Sequence, residues 1–244
     1  MADNWQQQVG ERFDRAAPDY DTYAEVQRES ARRLAQLISS NPQSILEIGC
    51  GSGALTQQLS IYFPEAQITA SDIAPSMLNI AKQKLNAENI NWTILDGESP
   101  DESDIIEGAY DLIISNMAFQ WFADFETALN GMKKYLKPGG QILYAIPGER
   151  SFSEWQKTLR SLNLPSGLLE FPQPSTENIL EEQSIEVFYY DALTFLKSMK
   201  KIGAHKPRSG YQPLGYTIKK ACDKFDQDFA GRVTWHIIYG QLTK

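Results

Sequence analysis

Ser44-Ile45-Leu46-Glu47-Ile48-Gly49-Cys50-Gly51-Ser52-Gly53 is the stretch on which the fold turns. An apolar run closing on Glu47 reads as a buried strand. A G-x-G-x-G turn follows, and Ala54-Leu55-Thr56-Gln57-Gln58-Leu59 opens a helix. Glycines let the backbone turn sharply and lie against a ligand with no Cβ in the way. The helix start behind them presents unpaired N–H groups. The spacing also overlays the dinucleotide fingerprint G-x-G-x-x-G/A on Gly49, Gly51 and Ala54, so this segment alone leaves a nucleotide oxidoreductase open.

The segments downstream narrow the choice. Residues 66–71 read as a second strand ending at Asp72. A carboxylate about 20 residues past such a turn can accept both hydroxyls of a ribose. Residues 91–95 form a third strand, followed by Asp96-Gly97-Glu98. Residues 111–116 form a fourth, running into Met117-Ala118-Phe119-Gln120-Trp121, and Leu136-Lys137-Pro138-Gly139-Gly140 makes a turn before a fifth. In this order, over residues 44–146, the segments resemble those of class I S-adenosylmethionine (SAM) methyltransferases. The resemblance implies SAM as cofactor, held by Glu47, Gly49, Gly51, Gly53, Asp72, Ile73, Met77, Asp96, Gly97, Glu98 and Asn116.

Composition agrees with one α/β domain. The chain has 244 residues, 42 per cent of them apolar, within the range of a single domain with additions. No apolar run reaches the roughly 18 residues of a membrane span. The start of the sequence lacks a basic, apolar signal pattern. A cytoplasmic protein with no membrane partner is therefore expected. Two Cys and two His, widely spaced, make neither a disulfide framework nor a metal site. Cys50, inside the glycine turn, reads as a small filler rather than a nucleophile.

Strands alternating with helices predict a doubly wound, mostly parallel sheet. Helices are expected over 54–63, 75–86 and 124–136, with Pro75 in a first turn. A further helix is expected over 151–163, with Ser151 and Glu154 as a capping box. Beyond it, 185–190 reads as a strand, 191–201 as a helix and 233–242 as a final strand. Residues 203–231 are too long for a hairpin loop and are expected to cap the substrate side. The expected class I fold is thus a seven-stranded sheet in one domain over 1–244. Residues 1–40 form a helical lid, 41–146 the cofactor-binding core and 147–244 the substrate side. In the lid, Phe13, Ala17 and Tyr20 match the F-x-x-x-A-x-x-Y spacing whose Tyr, in the resembling family, lies near the methionyl part of SAM. A helix over 22–38 follows.

Charge is unevenly spread. Residues 1–149 carry 10 basic and 21 acidic side chains, and residues 150–244 carry 13 and 10. Residues 197–220 hold seven basic and no acidic residues: Lys197, Lys200, Lys201, Lys206, Arg208, Lys219 and Lys220. Such a basic cap on a chain of net charge −8 points to an anionic partner, or to a solvated face. The acidic chain shows no RNA-binding module, and nucleic acid is not expected. The stretch Ser115-Asn116-Met117-Ala118 departs from the N/D-P-P-Y loop of amino-group methyltransferases, which disfavours an amine acceptor.

More narrowly, the chain resembles the malonyl-acyl-carrier-protein O-methyltransferases of biotin synthesis. The matching pieces are Phe13-Asp14-Arg15-Ala16-Ala17-Pro18-Asp19-Tyr20 with Val26-Gln27-Arg28; Ser115 to Trp121; Ser198-Met199-Lys200-Lys201-Ile202-Gly203-Ala204; and Thr234-Trp235-His236-Ile237-Ile238-Tyr239-Gly240. Residues 147–183 match poorly. The resemblance implies methylation of the free carboxylate of malonyl-acyl-carrier protein, with the acidic carrier as partner at the basic cap. Lys200 is expected to orient the carboxylate, with Arg15, Arg150 and Arg208 as rivals. Gln120 and Trp121 are expected to shape the methyl pocket, and His236 to be structural. Two alternatives stay open: methylation of a free small polycarboxylate, and a non-catalytic SAM-binding protein.

Overall fold

A computed structural model describes residues 5–100, 105–165, 169–202 and 217–244. These form a seven-stranded sheet with spatial order β3-β2-β1-β4-β5-β7-β6. The strands are β1 (Ser44–Ile48), β2 (Gln67–Asp72), β3 (Ile90–Ile94), β4 (Tyr110–Asn116), β5 (Leu136–Pro147), β6 (Ile179–Phe188) and β7 (Arg232–Thr243). The first five are parallel, whereas β7 runs antiparallel between β5 and β6. This is the expected doubly wound sheet, closed by the antiparallel pair β6 and β7; β6 begins six residues before the strand expected over 185–190. Central strands β1 and β4 read as apolar runs because helices cover both faces; Ile45, Leu46, Leu112, Ile113 and Ile114 are essentially inaccessible. Edge strand β6 instead alternates half-buried and exposed residues, with Glu181, Glu182 and Glu186 discouraging further pairing.

Helices follow the predicted pattern with shorter ends. α1 (Trp5–Ala16), α2 (Tyr20–Tyr23) and α3 (Glu25–Gln36) precede the sheet. They are followed by α4 (Ala54–Tyr62), α5 (Pro75–Lys84), α6 (Phe125–Met132), α7 (Ser153–Ser161), α8 (Ala192–Lys201) and α9 (Ile218–Phe229). The helix expected over 22–38 is interrupted at Ala24, whose ψ of 35° leaves the helical basin. Two tertiary contacts hold α2 at that angle: Ser52 Oγ donates to Asp21 Oδ1 at 2.6 Å, and Lys84 pairs with Asp21. Within the expected cap, residues 217–231 carry α9; 203–216 lie outside the described residues. No helix among the described residues is long and apolar enough to cross a membrane.

The capping box at 151–154 does not form. α7 begins at Ser153 behind Phe152, whose φ of 60° is left-handed, and its start has no side-chain cap. Ser151 Oγ instead donates to His236 O at 2.9 Å and accepts from His236 N at 3.0 Å. Glu154 accepts from Thr234 N at 3.0 Å and Thr234 Oγ1 at 2.6 Å. Both side chains therefore anchor α7 to β7, a partner remote in sequence that outcompetes the local cap. His236 is buried and hydrogen-bonds Glu182 Oε2 at 2.8 Å, in the expected structural role.

Close packing of the hairpin against the sheet generates a stability prediction. Gly240 opposes Tyr144 across β5 and β7, and a Cβ there would lie 2.2 Å from Tyr144 Cζ. Tyr144 is fully buried and cannot swing away. Gly240→Ala should cost about 1–3 kcal/mol, as overpacking does, lowering Tm by about 2–12 °C in a chain this long. An unchanged melting curve would show that the strands separate freely.

Candidate functional site

The main cavity opens where the sheet order reverses between β1 and β4, at the carboxyl ends of the strands. Open α/β sheets place ligands at this switch point. It encloses about 870 Å³ of empty space, part of it continuous with solvent. Glu47, Gly49, Gly51, Asp72, Ile73, Asp96, Gly97 and Asn116 all line it, from four separate loops. Tyr20 and Trp121 also line it, and Gln6, Val9 and Phe13 of α1 supply one wall.

The glycines divide the work. Gly49, Gly51 and Gly53 all have positive φ, which other residues rarely adopt. A Cβ on Gly49 would meet Ala118 Cβ at 2.4 Å, so this glycine lets the loop after β4 approach. A Cβ on Gly51 meets no protein atom within 4 Å; the space beside it belongs to the cavity. Gly53 lies behind the turn, where a Cβ would stand 3.0 Å from Leu85 and 3.2 Å from Ala81, and it does not line the cavity.

Two buried carboxylates stand beneath this turn. Asp72 accepts from Gly51 N and from Ala74 N, both at 2.8 Å, through different oxygens. Burial raises its pKa to about 6 against the lowering effect of these N–H donors. Glu47 accepts from Thr56 Oγ1 at 2.7 Å, and burial, aided by the charge of Asp72, raises it to about 8. A pocket with two strained acids fits a cationic ligand bearing vicinal hydroxyls, which describes SAM. Burial also raises the Cys50 thiol well above its ordinary value, consistent with a filler.

Two of the expected cofactor residues, Met77 and Glu98, do not line the cavity. Met77 is buried beside Ala17 and Ala74. Glu98 accepts from Gln6 Nε2 and from Asp124 N, the latter at 2.9 Å, tying α1 to the α6 entrance. Asn116 does line the cavity and is held by α3: Ser30 Oγ donates to its Oδ1 at 2.8 Å, and its Nδ2 donates to Gln27 O at 3.0 Å.

A second cavity of about 500 Å³ adjoins the first. Phe13, Tyr20, Gln27, Met117 and Trp121 border both. Its remaining walls are Gln120 and apolar side chains, among them Phe152, Phe171, Ile202 and Trp235. Gln120 is 5% exposed and donates from Nε2 to Met117 O at 2.7 Å. Met117 carries a left-handed φ of 58°, backbone strain of the kind that concentrates at functional sites. Burial raises the Tyr20 pKa, with the charges of Asp72 and Asp21 acting in the same direction, so its hydroxyl stays a donor.

Lys200 stands elsewhere. The buried face of α8 carries Phe195, Ser198 and Met199, so the helical period turns Lys200 to the exposed side. It lines a separate cleft with Arg12 and Arg15, and the residue that α8 delivers to the second cavity is Ile202. Of its rivals, Arg15 lies in that same cleft, and Arg150 pairs with Glu182 on the sheet edge. Arg208, with Lys206, lies outside the described residues. Sequence reasoning misses Gln6 as a wall: it belongs to a polar helix, and only packing shows which face turns inward. Gln27 carries two sequence signals: its place as a polar residue within the apolar stripe of Val26, Ala31 and Leu34, and its membership of the matching piece Val26-Gln27-Arg28.

Residues 46–142 match a family model described as a methyltransferase domain. The chain is 34% identical to a malonyl-[acyl-carrier protein] O-methyltransferase of Anoxybacillus flavithermus, over 97% of both chains. It is 36% identical to a biotin biosynthesis bifunctional protein of Bordetella avium. There the match covers 97% of this chain but 52% of that longer protein, so the chain spans about half the length of this relative. Among solved structures, the YcgJ protein of Bacillus subtilis superposes with a TM-score of 0.59 at 17% identity, covering 88% of this chain and 98% of that one. At that identity the likeness speaks for the fold alone.

Two predictions concern the main cavity. Asp72→Asn should weaken SAM binding about 10- to 150-fold, the range for a lost charge-assisted hydrogen bond, and Gly51→Val should abolish it by filling the space beside the turn. Wild-type affinity in both variants, measured by calorimetry, would remove the turn from the binding site. The second concerns protons. With a pKa of about 8, Glu47 is mostly protonated at pH 7 in the free protein. A cationic ligand favours the carboxylate and lowers that pKa, so binding should release about one proton and strengthen from pH 6 to 7.5. Binding enthalpies at pH 7 should then vary with buffer ionisation enthalpy, and Glu47→Gln should remove the dependence. Buffer-independent enthalpies in the wild type would overturn the assignment.

Proposed function

The chain belongs to the malonyl-[acyl-carrier protein] O-methyltransferase family, a family of SAM-dependent enzymes, and from that premise we propose that its own acceptor is the free carboxylate of a malonyl thioester borne on an acyl carrier protein. The observation that carries this reading is the second cavity: apolar, aromatic-walled and adjoining the main cavity, with which it shares Tyr20, Met117 and Trp121 as walls.

The chemistry asked of such a cavity is modest. A carboxylate with an ordinary pKa near 4 is ionised at neutral pH, so no side chain has to remove a proton. Bound SAM supplies a methyl group activated by positively charged sulfur. The apolar walls strip water from the carboxylate, and a low-dielectric surround favours a step in which opposite charges cancel. A lysine beside the carboxylate would hold the negative charge back, and the absence of any lysine or arginine from the described walls of this cavity supports uncharged positioning. Tyr20, kept protonated, donates a hydrogen bond that orients the acceptor. Gln120 and Trp121 set the width of the methyl passage, and the Gln120 amide is held in place by Met117 O. Rate enhancement then comes mainly from alignment. α1 acts as the lid: Trp5 Nε1 donates to Trp121 O at 2.8 Å, and Phe13 meets Trp121 edge-on with centroids 5.7 Å apart.

Transfer of labelled methyl from SAM should be fast to malonyl-carrier protein, slower to malonyl-CoA and negligible to free malonate. With no base to titrate, kcat should be flat from pH 6 to 9, and Lys200→Met should leave kcat within about threefold. Equal methylation of a free polycarboxylate would favour the small-acid reading. A kcat rising through this span would require a general base.

A further inference from the structure

A cleft on the outer side of α1 carries more positive charge than its own residues neutralise. Arg12 and Arg15 of α1 and Lys200 and Lys201 of α8 line it, with Glu11 and Asp19 as its acids. Asp19 is engaged by Lys201. The Glu11 carboxylate accepts from Gln7 Nε2 at 3.1 Å rather than from an arginine. Arg15 spends only its Nε, donating to Glu11 O at 3.0 Å. Lys200 has no ion-pair partner among the described residues.

Arg12 is the informative member. It is 6% exposed, yet its Nη1 is buried with no hydrogen-bond partner among the described residues. Nη2 reaches only Gln8 Oε1 at 3.4 Å, and the guanidinium stacks on the Trp5 ring at 5.1 Å. Burial and the charge of nearby Arg15 both lower its pKa. A buried cation without a counter-charge is costly, so a guanidinium held this way is completed by an anion from outside the chain.

The position of the cleft selects the anion. α1 divides it from the main cavity, with Gln6, Val9 and Phe13 facing inward and Arg12 and Arg15 outward. The end of α8 divides it from the acceptor cavity, with Ile202 on one side and Lys200 and Lys201 on the other. The cleft is therefore separated from the acceptor cavity by the thickness of one helix end. Planar guanidinium forks suit phosphate oxygens, and lysines add point charge. We propose that this cleft binds the phosphate ester of the pantetheine arm that carries the acyl thioester. The inference rests on the thioester reading above and adds the group by which the arm is recognised. Carrier protein and coenzyme A both present this phosphate.

The test uses the intact enzyme and four acceptors: malonyl-pantetheine, malonyl-phosphopantetheine, malonyl-CoA and malonyl-carrier protein. The wild type should show a KM about tenfold lower for malonyl-phosphopantetheine than for malonyl-pantetheine, at similar kcat. The exposed double variant Arg15→Gln/Lys200→Gln should erase that difference. It should leave malonyl-pantetheine turnover unchanged and raise KM for the CoA and carrier substrates alike. Equal KM for the two short arms in the wild type would overturn the phosphate site. So would a loss confined to the carrier substrate, which would mean that the cleft touches protein surface. A second readout does not depend on turnover. Phosphopantetheine without an acyl group should bind the wild type, by calorimetry, about tenfold more tightly than the double variant. Phosphate-dependent binding without methylation of any thioester would sink the acceptor assignment and keep the cleft. Methylation without phosphate dependence would do the reverse, and neither would sink both.

Discussion

The carboxylate of Asp72 holds the site together. Its oxygens accept from Gly51 N, on the turn after β1, and Ala74 N, at the start of α5. One side chain thereby fixes two loops that no strand pairing connects at that level, and it does so at the switch point of the sheet. The arrangement is electrically uncomfortable: Glu47 lies buried nearby, and the charge of Asp72 adds to the cost of ionising it. A cationic cofactor relieves that tension. Affinity at this site therefore draws on strain stored in the free protein as much as on contacts made to the ligand.

The second cavity follows an opposite electrostatic logic. Its described walls carry no lysine or arginine, and its polar groups are uncharged amides and a tyrosine held in its neutral form. An anionic acceptor entering it exchanges water for apolar surface. That exchange suits a reaction whose reactants are oppositely charged and whose products are neutral. Charge is displaced outward instead, onto the far faces of α1 and α8, where it can recognise the remote part of a long substrate without competing at the reacting oxygen.

α1 connects these two regimes. Its inner face supplies Gln6, Val9 and Phe13 to the cavity, and its outer face supplies Arg12 and Arg15 to the cleft. Aromatic contacts to Trp121 and the hydrogen bond from Ser76 N to Asp14 Oδ1 at 2.8 Å seat it on the core. Under the proposed reading a single helix serves both ends of the acceptor.

Much of this is legible in the sequence. Strand runs, glycine spacing and the acid after β2 depend on neighbours a few residues away, so local chemistry dictates them. The doubly wound sheet follows from the same alternation, and Tyr20 and Trp121 stand where the two cavities meet. Other features depend on which partner wins in three dimensions. Ser151 and Glu154 spell a capping box, yet β7 offers them better-placed donors and acceptors and draws them away. Gly53 looks like Gly51 in the motif, but only the packing of Leu85 and Ala81 shows that it faces the core. Lys200 sits among residues that carry the family resemblance, but the buried face of α8 is set by Phe195 and Met199, and a helical turn carries Lys200 to the other side of the wall. The sequence by itself determined the sheet and the turn, because these rest on short-range backbone geometry, and pointed to the class of cofactor through the resemblance that its ordered segments carry. Only the tertiary structure decided which charges face the reacting groups and which face outward, because that depends on how helices remote in sequence pack around the same sheet.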